Sequence, residues 1–288
     1  MSATTYETIE VTPLTAQIGA VIDGVDLRKE LDELQRAELR RALLDHLVIF
    51  LHDQDLSDDE HIAAARNFGE PNVYTVTRAR GLDQPLEWIE DSETNPPKTD
   101  LWHTDVAFLP QPPEMAMINM KIVPSTGGDT MWCSLYAAHD SLSPAMQVLI
   151  AGLEQDLHPG DYMRQTVERE YGADVMARVE ADFAGSRHPL VRVHPETGRR
   201  ALFMCGKFVK GITGMNADES TLLYEFLRSK LDNPNGQVRW KWQPNDVAIW
   251  DERCTNHRGL SDHFPAHRLL RRCTIGASQP VGVRGLLR

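Results

Sequence analysis

The chain has 288 residues, a formal net charge of −12 and 41% hydrophobic residues, enough apolar content for a sizeable core in one large domain or two small ones. Its acidity argues against broad attraction to nucleic acid, and it holds no apolar run long enough to span a membrane. Four scattered cysteines (Cys133, Cys205, Cys254 and Cys273, with no C-x-x-C pair) and a start, Met1 to Glu7, unlike a signal peptide lead us to expect reduced thiols and a cytoplasmic location.

Residues 8–27 read as a β-hairpin. Leu31 to His46 reads as an amphipathic helix, with Leu34, Leu39, Leu43 and Leu44 near helical spacing, and Leu47 to Leu51 as a strand. Ser57-Asp58-Asp59-Glu60 has the form of a capping box and opens a helix to about Asn67. Asn95-Pro96-Pro97-Lys98 is a loop, either a plain surface loop or a lid of the kind found over open sites. Trp102-His103-Thr104-Asp105 follows. In an extended strand, residues i and i+2 point to one side. His103 and Asp105 would then face one metal together, with Thr104 turned away. About one H-x-D triplet arises by chance at this histidine content, and this is the only one. A polar strand end without a metal fits the triplet alone equally well.

Ser141-Leu142-Ser143-Pro144 starts another helix, with proline at a first-turn position. The stretch 155–190 is charged and less patterned, and is expected to form an insertion flanking the active site. Val191 to His194 and Arg200 to Phe203 read as strands around the turn Pro195 to Gly198. His194-Pro195-Glu196 is the one rival His-x-acid triplet. Its proline and turn keep the two side chains off a common strand face, so it is expected to be structural. Asp218 to Lys230 reads as a late helix, and Val238, Trp240 and Trp242 alternate as in a half-buried strand. Asp246 to Asp251 is a buried strand after the turn signal Pro244-Asn245, and His257 is expected just past it. Leu269 to Ile275 reads as the next strand. Arg268 and Arg272 are four residues apart and should share a face, with Arg271 opposed.

Two imidazoles and one carboxylate, from His103, Asp105 and His257, form the ligand set of a non-haem Fe(II) oxygenase, with open positions on the metal. A planar guanidinium from Arg268 or Arg272 suits the carboxylate of a co-substrate. Iron, a keto-acid and O2 are the first expectation.

Five segments in order extend this reading: Gly19 to Leu27, Trp102 to Phe108, Pro124 to Thr130 with its Gly127-Gly128, Trp250 to Arg258, and Arg268-Leu269-Leu270-Arg271-Arg272. Together they resemble the taurine/2,4-D dioxygenase (TauD/TfdA) family of Fe(II)/2-oxoglutarate-dependent dioxygenases over nearly the whole length. The resemblance implies Fe(II) on His103, Asp105 and His257, with no catalytic side chain beyond these ligands. It implies 2-oxoglutarate held by Arg268, Thr130 and Trp250, and O2 as second co-substrate. Arg272 would hold the anionic group of a small substrate such as a sulfonate, sulfate ester or aryloxy- or alkyl-carboxylate. Tyr74, Thr77 and Thr99 fall at the family's substrate-pocket positions, and Phe208 is expected as an apolar wall. The taurine enzyme itself has a histidine, tyrosine and asparagine where this chain has Tyr74, Thr77 and Thr99, which argues against taurine. Ordinary core packing is the alternative for Tyr74 and Phe208.

The fold implied by the resemblance is mainly β, a double-stranded β-helix (jelly-roll, cupin-like) core with flanking helices, as one domain over 1–288. The implied reaction converts 2-oxoglutarate and O2 to succinate and CO2 and hydroxylates the substrate. With Asp105 present, halogenation is not expected. The family often forms dimers or tetramers, so a homo-oligomer is expected, without nucleic acid or membrane partners. Two other readings stay open: the same iron centre acting on an amino-acid-like or biosynthetic metabolite, by hydroxylation or desaturation, and a non-catalytic jelly-roll protein that binds an anion.

Overall fold

A computed structural model describes residues 5–182 and 185–283 of the chain. The first hairpin forms as expected, β1 (Glu10–Pro13) pairing antiparallel with β2 (Ala20–Asp23). Helix α1 (Glu33–His46) starts where the Asp32 carboxylate accepts the Gln35 N–H and stops at Leu47, whose φ of 66° lies in the left-handed region. Strand β3 (Val48–Leu51) follows and pairs parallel with β2. The capping box is realised at the head of α2 (Asp58–Arg66): Ser57 Oγ accepts the Glu60 N–H and the Glu60 carboxylate accepts the Ser57 N–H.

Next along the chain come β4 (Pro71–Asn72), α3 (Thr75–Ala79), β5 (Glu87–Asp91), β6 (Met115–Ile122), β7 (Thr130–Ser134), α4 (Leu135–Asp140) and α5 (Pro144–Ile150). The last has Ser143 as cap and Pro144 in its first turn. The expected unpatterned stretch 155–190 turns out to be regular. It holds β8 (Glu154–Leu157), α6 (Gly160–Tyr171), α7 (Ala173–Asp182) and β9 (Ser186–Pro189). Its charges obscure the period because they pair on the outer faces, as Arg164 does with Glu180. Met163, Val167, Val175, Met176 and Val179 form the buried side. Then follow β10 (Val191–Val193) and β11 (Arg200–Leu202), an antiparallel hairpin, β12 (Val209–Ile212), α8 (Ala217–Arg228), β13 (Gln237–Trp240), β14 (Val247–Asp251), β15 (Thr255–Gly259) and β16 (Arg268–Ile275).

Two sheets make the core. The larger runs β1-β2-β3-β14-β6-β16-β4, with β5 also on β16, and the smaller runs β13-β7-β15. Both faces of the larger sheet are covered, which is why its central strands read as unbroken apolar runs. Phe50, Ile118, Ala248, Trp250 and Leu270 face inward against Trp132, Val238 and Trp240 of the smaller sheet. Ile49, Met117, Val247, Ile249 and Cys273 face outward against Leu39 and Leu43 of α1 and Ala64 and Ala65 of α2. Stacked Phe50 and Trp240, with centroids 4.1 Å apart, and edge-on Trp132 and Trp250, at 5.6 Å, fill the space between the sheets. Two facing, mainly antiparallel sheets with helices outside are the expected jelly-roll.

Candidate metal and co-substrate centre

His257 lies within β15, inside the smaller sheet rather than just past β14 as expected, because three residues, 252–254, turn the chain from one sheet to the other. His103 joins it by an isolated bridge: the His103 N–H donates to the His257 carbonyl at 3.1 Å, and the reverse bond is 3.0 Å. This brings the imidazoles side by side, centroids 4.2 Å apart. The strand expected through Asp105 stops there. The chain turns at once, with Val106 at φ 38°, and the Asp105 N–H donates to Glu252 Oε2 at 3.2 Å. A turn tied to Glu252, not strand alternation, aims the carboxylate. Thr104 does point away, its hydroxyl accepting from Asn256 Nδ2 at 2.7 Å.

His103 Nδ1 donates to the Leu101 carbonyl at 2.7 Å, which leaves Nε2 as the bare nitrogen. That Nε2 and His257 Nε2 stand 3.7 and 3.8 Å from the same Asp105 Oδ1. These separations are too long for hydrogen bonds. They leave room between the donors for an ion with bonds of about 2.0–2.2 Å to nitrogen and oxygen. Protonation also fits. Burial holds His103 below its usual pKa, and burial followed by the neighbouring His103 holds His257 well below. Burial would raise Asp105, but Arg272, then His257 and His103, outweigh it and keep the carboxyl below its usual range. Two neutral imidazoles and an ionised carboxylate are the forms that bind a divalent metal. The donor set therefore fits Fe(II).

Glu252 is a partner that the sequence reading missed. It is fully buried, accepts from the Trp250 indole N–H at 2.8 Å, and is pushed well above the usual carboxyl range by burial and then by Asp105. Its only signal was its position in the acidic Asp251-Glu252 pair between Trp250 and His257. Trp250 is fully buried behind His257, centroids 4.8 Å apart, and meets the site through that ring.

Arg268 and Arg272 share a face of β16 with Leu270 as parity predicts, while Arg271 turns outward to Asp58, Leu56 and Asn119. Arg268 is buried. It donates from Nε to the Gly128 carbonyl at 3.0 Å and from Nη2 to Thr130 Oγ1 at 3.2 Å, and faces Asp91 Oδ2 at 3.4 Å. The glycine turn permits this approach. Gly128 has φ 72°, and a Cβ there would come 2.9 Å from Pro124 Cγ and 3.2 Å from Arg268 Cδ. Arg272 donates from Nη1 to both oxygens of Asp105 at 2.8 and 2.9 Å, and from Nη2 and Nε to Glu87 Oε2 at 2.8 and 3.1 Å.

Beyond Glu87 lies a cavity of about 350 Å³ whose walls include Tyr74, Thr77, Met163, Val167, Lys207 and Phe208. Tyr74 also lies under the Arg272 guanidinium at 5.7 Å. Of the four expected substrate residues, Tyr74, Thr77 and Phe208 thus meet here. Thr99 does not. Its carbonyl accepts the Gly259 N–H at 3.1 Å, which ties it to the end of β15 and off the cavity wall. The proline loop before it is tethered to α6 through the Lys98–Glu170 ion pair.

A second group, His194, Asp251 and Cys254, also clusters metal-capable atoms. Here the bonds are closed. His194 Nε2 meets Asp251 Oδ2 at 3.0 Å, its Nδ1 accepts the Glu196 and Thr197 N–H groups, and Arg253 donates twice to Asp251. The rival triplet is structural, as expected.

Comparison with known proteins agrees with this geometry. The family described as taurine catabolism dioxygenase TauD, TfdA matches residues 10–274. An alkylsulfatase of Acinetobacter baylyi is 34% identical over 96% of this chain and 88% of its own. An alpha-ketoglutarate-dependent sulfate ester dioxygenase of Pseudomonas putida is 32% identical over 97% and 93%. The crystal structure of a taurine dioxygenase from Burkholderia xenovorans superposes with a TM-score of 0.81 at 33% identity, covering 97% of this chain and 94% of that one. The chain belongs to the TauD/TfdA family and is an Fe(II)/2-oxoglutarate-dependent dioxygenase, with O2 as its second co-substrate.

Proposed function

We propose that the chain hydroxylates a small monoanionic organic substrate with an apolar body, a sulfate ester, sulfonate or aryloxy- or alkyl-carboxylate. His103, Asp105 and His257 hold Fe(II), which supplies the redox centre where O2 and 2-oxoglutarate are consumed to give succinate and CO2. Arg268 takes the far carboxylate of 2-oxoglutarate, with Thr130 as hydrogen-bond partner. Asp91 stands by to balance the guanidinium when no co-substrate is bound. Trp250 braces His257 from behind. Arg272 takes the substrate anion, and Tyr74, Thr77 and Phe208 enclose the apolar body. Hydroxylation next to a heteroatom lets the product fall apart, releasing the anion and an aldehyde or a phenol. The observation that carries this reading is the convergence of two neutral imidazoles on one oxygen of an ionised carboxylate, at 3.7 and 3.8 Å, beside Arg268 and Arg272.

We read 1–288 as one domain with the α6–α7 unit flanking the cavity, and expect a homo-oligomer in the cytoplasm; light scattering checks the first part of that expectation. Among the described residues no helix is long and apolar enough to cross a membrane. The test of function is succinate formation with Fe(II), 2-oxoglutarate and O2 across alkyl sulfates, sulfonates, aryloxy-acids and amino acids. Stimulation by one of the anion classes, absent in His103→Ala, is expected. Stimulation by amino acids alone would overturn the substrate class, and no iron-dependent succinate at all would overturn the enzyme.

A further inference from the structure

Glu87 is placed where a solvated surface acid is not. It sits opposite Arg272 in the β5–β16 register, its side chain is 14% exposed, and two guanidinium N–H groups donate to its single Oε2. Burial raises its carboxyl above the usual range against the pull of Arg272. With two charged donors on one oxygen, we take the ionised form as the one present at neutral pH. The cavity wall holds two cations, Arg80 and Lys207, and two acids, Glu87 and Glu170. On the wall these balance, Glu170 being paired with Lys98 as well, and Arg272, whose guanidinium meets the wall through Glu87 and Tyr74, brings a further positive charge that Glu87 partly takes up. Asp105 belongs to the metal in this count.

We propose that Glu87 is the specificity-determining residue that sets this charge and restricts the cavity to monoanionic head groups such as sulfate esters, excluding dianionic ones such as phosphate monoesters. The proposal rests on the assignment of Arg272 to the substrate anion. The physical reason is that Glu87 already occupies two donors of Arg272, so a monoanion meets the remaining positive charge, whereas the second negative charge of a dianion would stand in a partly buried space beside the Glu87 carboxylate. Sulfate and phosphate monoesters are nearly isosteric, so shape discriminates poorly between them and charge must do it. Glu87→Gln keeps an oxygen that accepts from Arg272 but raises the net charge by one.

The test is calorimetric titration of the anaerobic Fe(II)/2-oxoglutarate holoenzyme with n-hexyl sulfate and n-hexyl phosphate at pH 7. There Lys207, pushed down to about 8 by burial, is still mostly charged, and the phosphate is largely dianionic, its second pKa being about 6. Wild type should bind the sulfate at least about tenfold more tightly than the phosphate. Glu87→Gln should close that gap by about tenfold or more, and Glu87→Asp, which keeps the charge, should preserve it. An unchanged ratio in Glu87→Gln, with both ligands weakened alike, would reduce Glu87 to a positioning residue and overturn the proposal. Wild type binding the two probes equally would also overturn it. If wild type binds neither probe, the substrate-anion role of Arg272 fails and takes this proposal with it, an outcome distinct from retained sulfate binding with an unmoved ratio.

Discussion

Among the described residues, two buried clusters of side chains could hold a metal, His103/Asp105/His257 and His194/Asp251/Cys254. Both join histidine and aspartate in a buried setting, the second with a cysteine in place of a second histidine, and they differ in how their bonds are closed. In the second, His194 is hydrogen-bonded at both nitrogens and Asp251 is gripped by Arg253. Burial, and then the Asp251 charge, push the Cys254 thiol well above its usual range, which removes the thiolate a metal would need. In the first, both Nε2 atoms face a carboxylate oxygen at a distance that makes no hydrogen bond. Both aspartates are held by an arginine, Asp105 by Arg272 and Asp251 by Arg253, so what distinguishes the metal centre from the structural network is a pair of unspent imidazole nitrogens directed at one point.

Substitutions should separate the clusters sharply. His103→Ala or Asp105→Ala should abolish Fe(II) binding and turnover while the chain stays folded; intact turnover in either variant would refute the ligand assignment. Asp251→Asn should do the opposite, costing roughly 3–5 kcal/mol of stability by breaking the buried ion pair with Arg253 while leaving Fe(II) stoichiometry at one; denaturant melts and metal analysis read the two effects separately. Between these extremes, Arg268→Lys should weaken 2-oxoglutarate by about 10–100-fold through loss of the guanidinium fork, and Arg272→Ala should spare 2-oxoglutarate but weaken substrate. Loss of 2-oxoglutarate affinity in the Arg272 variant would mean that the two arginines exchange roles.

The smallest effect is a pH dependence of the apo-protein. His103, His257 and His61 all have pKa values below the usual 6.5 in the fold, His61 lowered to about 3 by burial with neither ring nitrogen hydrogen-bonded by a side chain. Below about pH 6.5 the unfolded chain binds protons that the folded chain refuses, so stability should be full above that pH and decline as pH falls. His61→Leu should flatten the decline between pH 6.5 and 5 in a thermal-melt series. A stability that rises on acidification over that range would contradict the neutral-histidine assignment.

Much of this site was legible in the sequence. Arg268 and Arg272 could be placed on one face from strand parity alone, and the capping box at Ser57 named its helix start to the residue. His103 and Asp105 were found for a reason only partly right. The turn after His103 is held by a neighbour in space and not in sequence, the buried Glu252, whose role no local pattern encodes. Strand β15 went unread since Thr-Asn-His-Arg-Gly has no apolar alternation; its burial comes from the opposing sheet. Glu87 and Glu252 look like solvated acids until the fold closes over them, and the helical period of α6 and α7 hides under their outward charges. Thr99 shows the limit of matching by position, since a backbone bond to Gly259 carries it away from the cavity.

The central claim is that the unspent cluster, and not the closed one, is the iron centre. Anaerobic titration of apo-protein with Fe(II), in wild type, His257→Ala and Cys254→Ser, tests it most directly. One site per chain in wild type and Cys254→Ser, and none in His257→Ala, is the predicted result; a site that survives in His257→Ala and disappears in Cys254→Ser would contradict it.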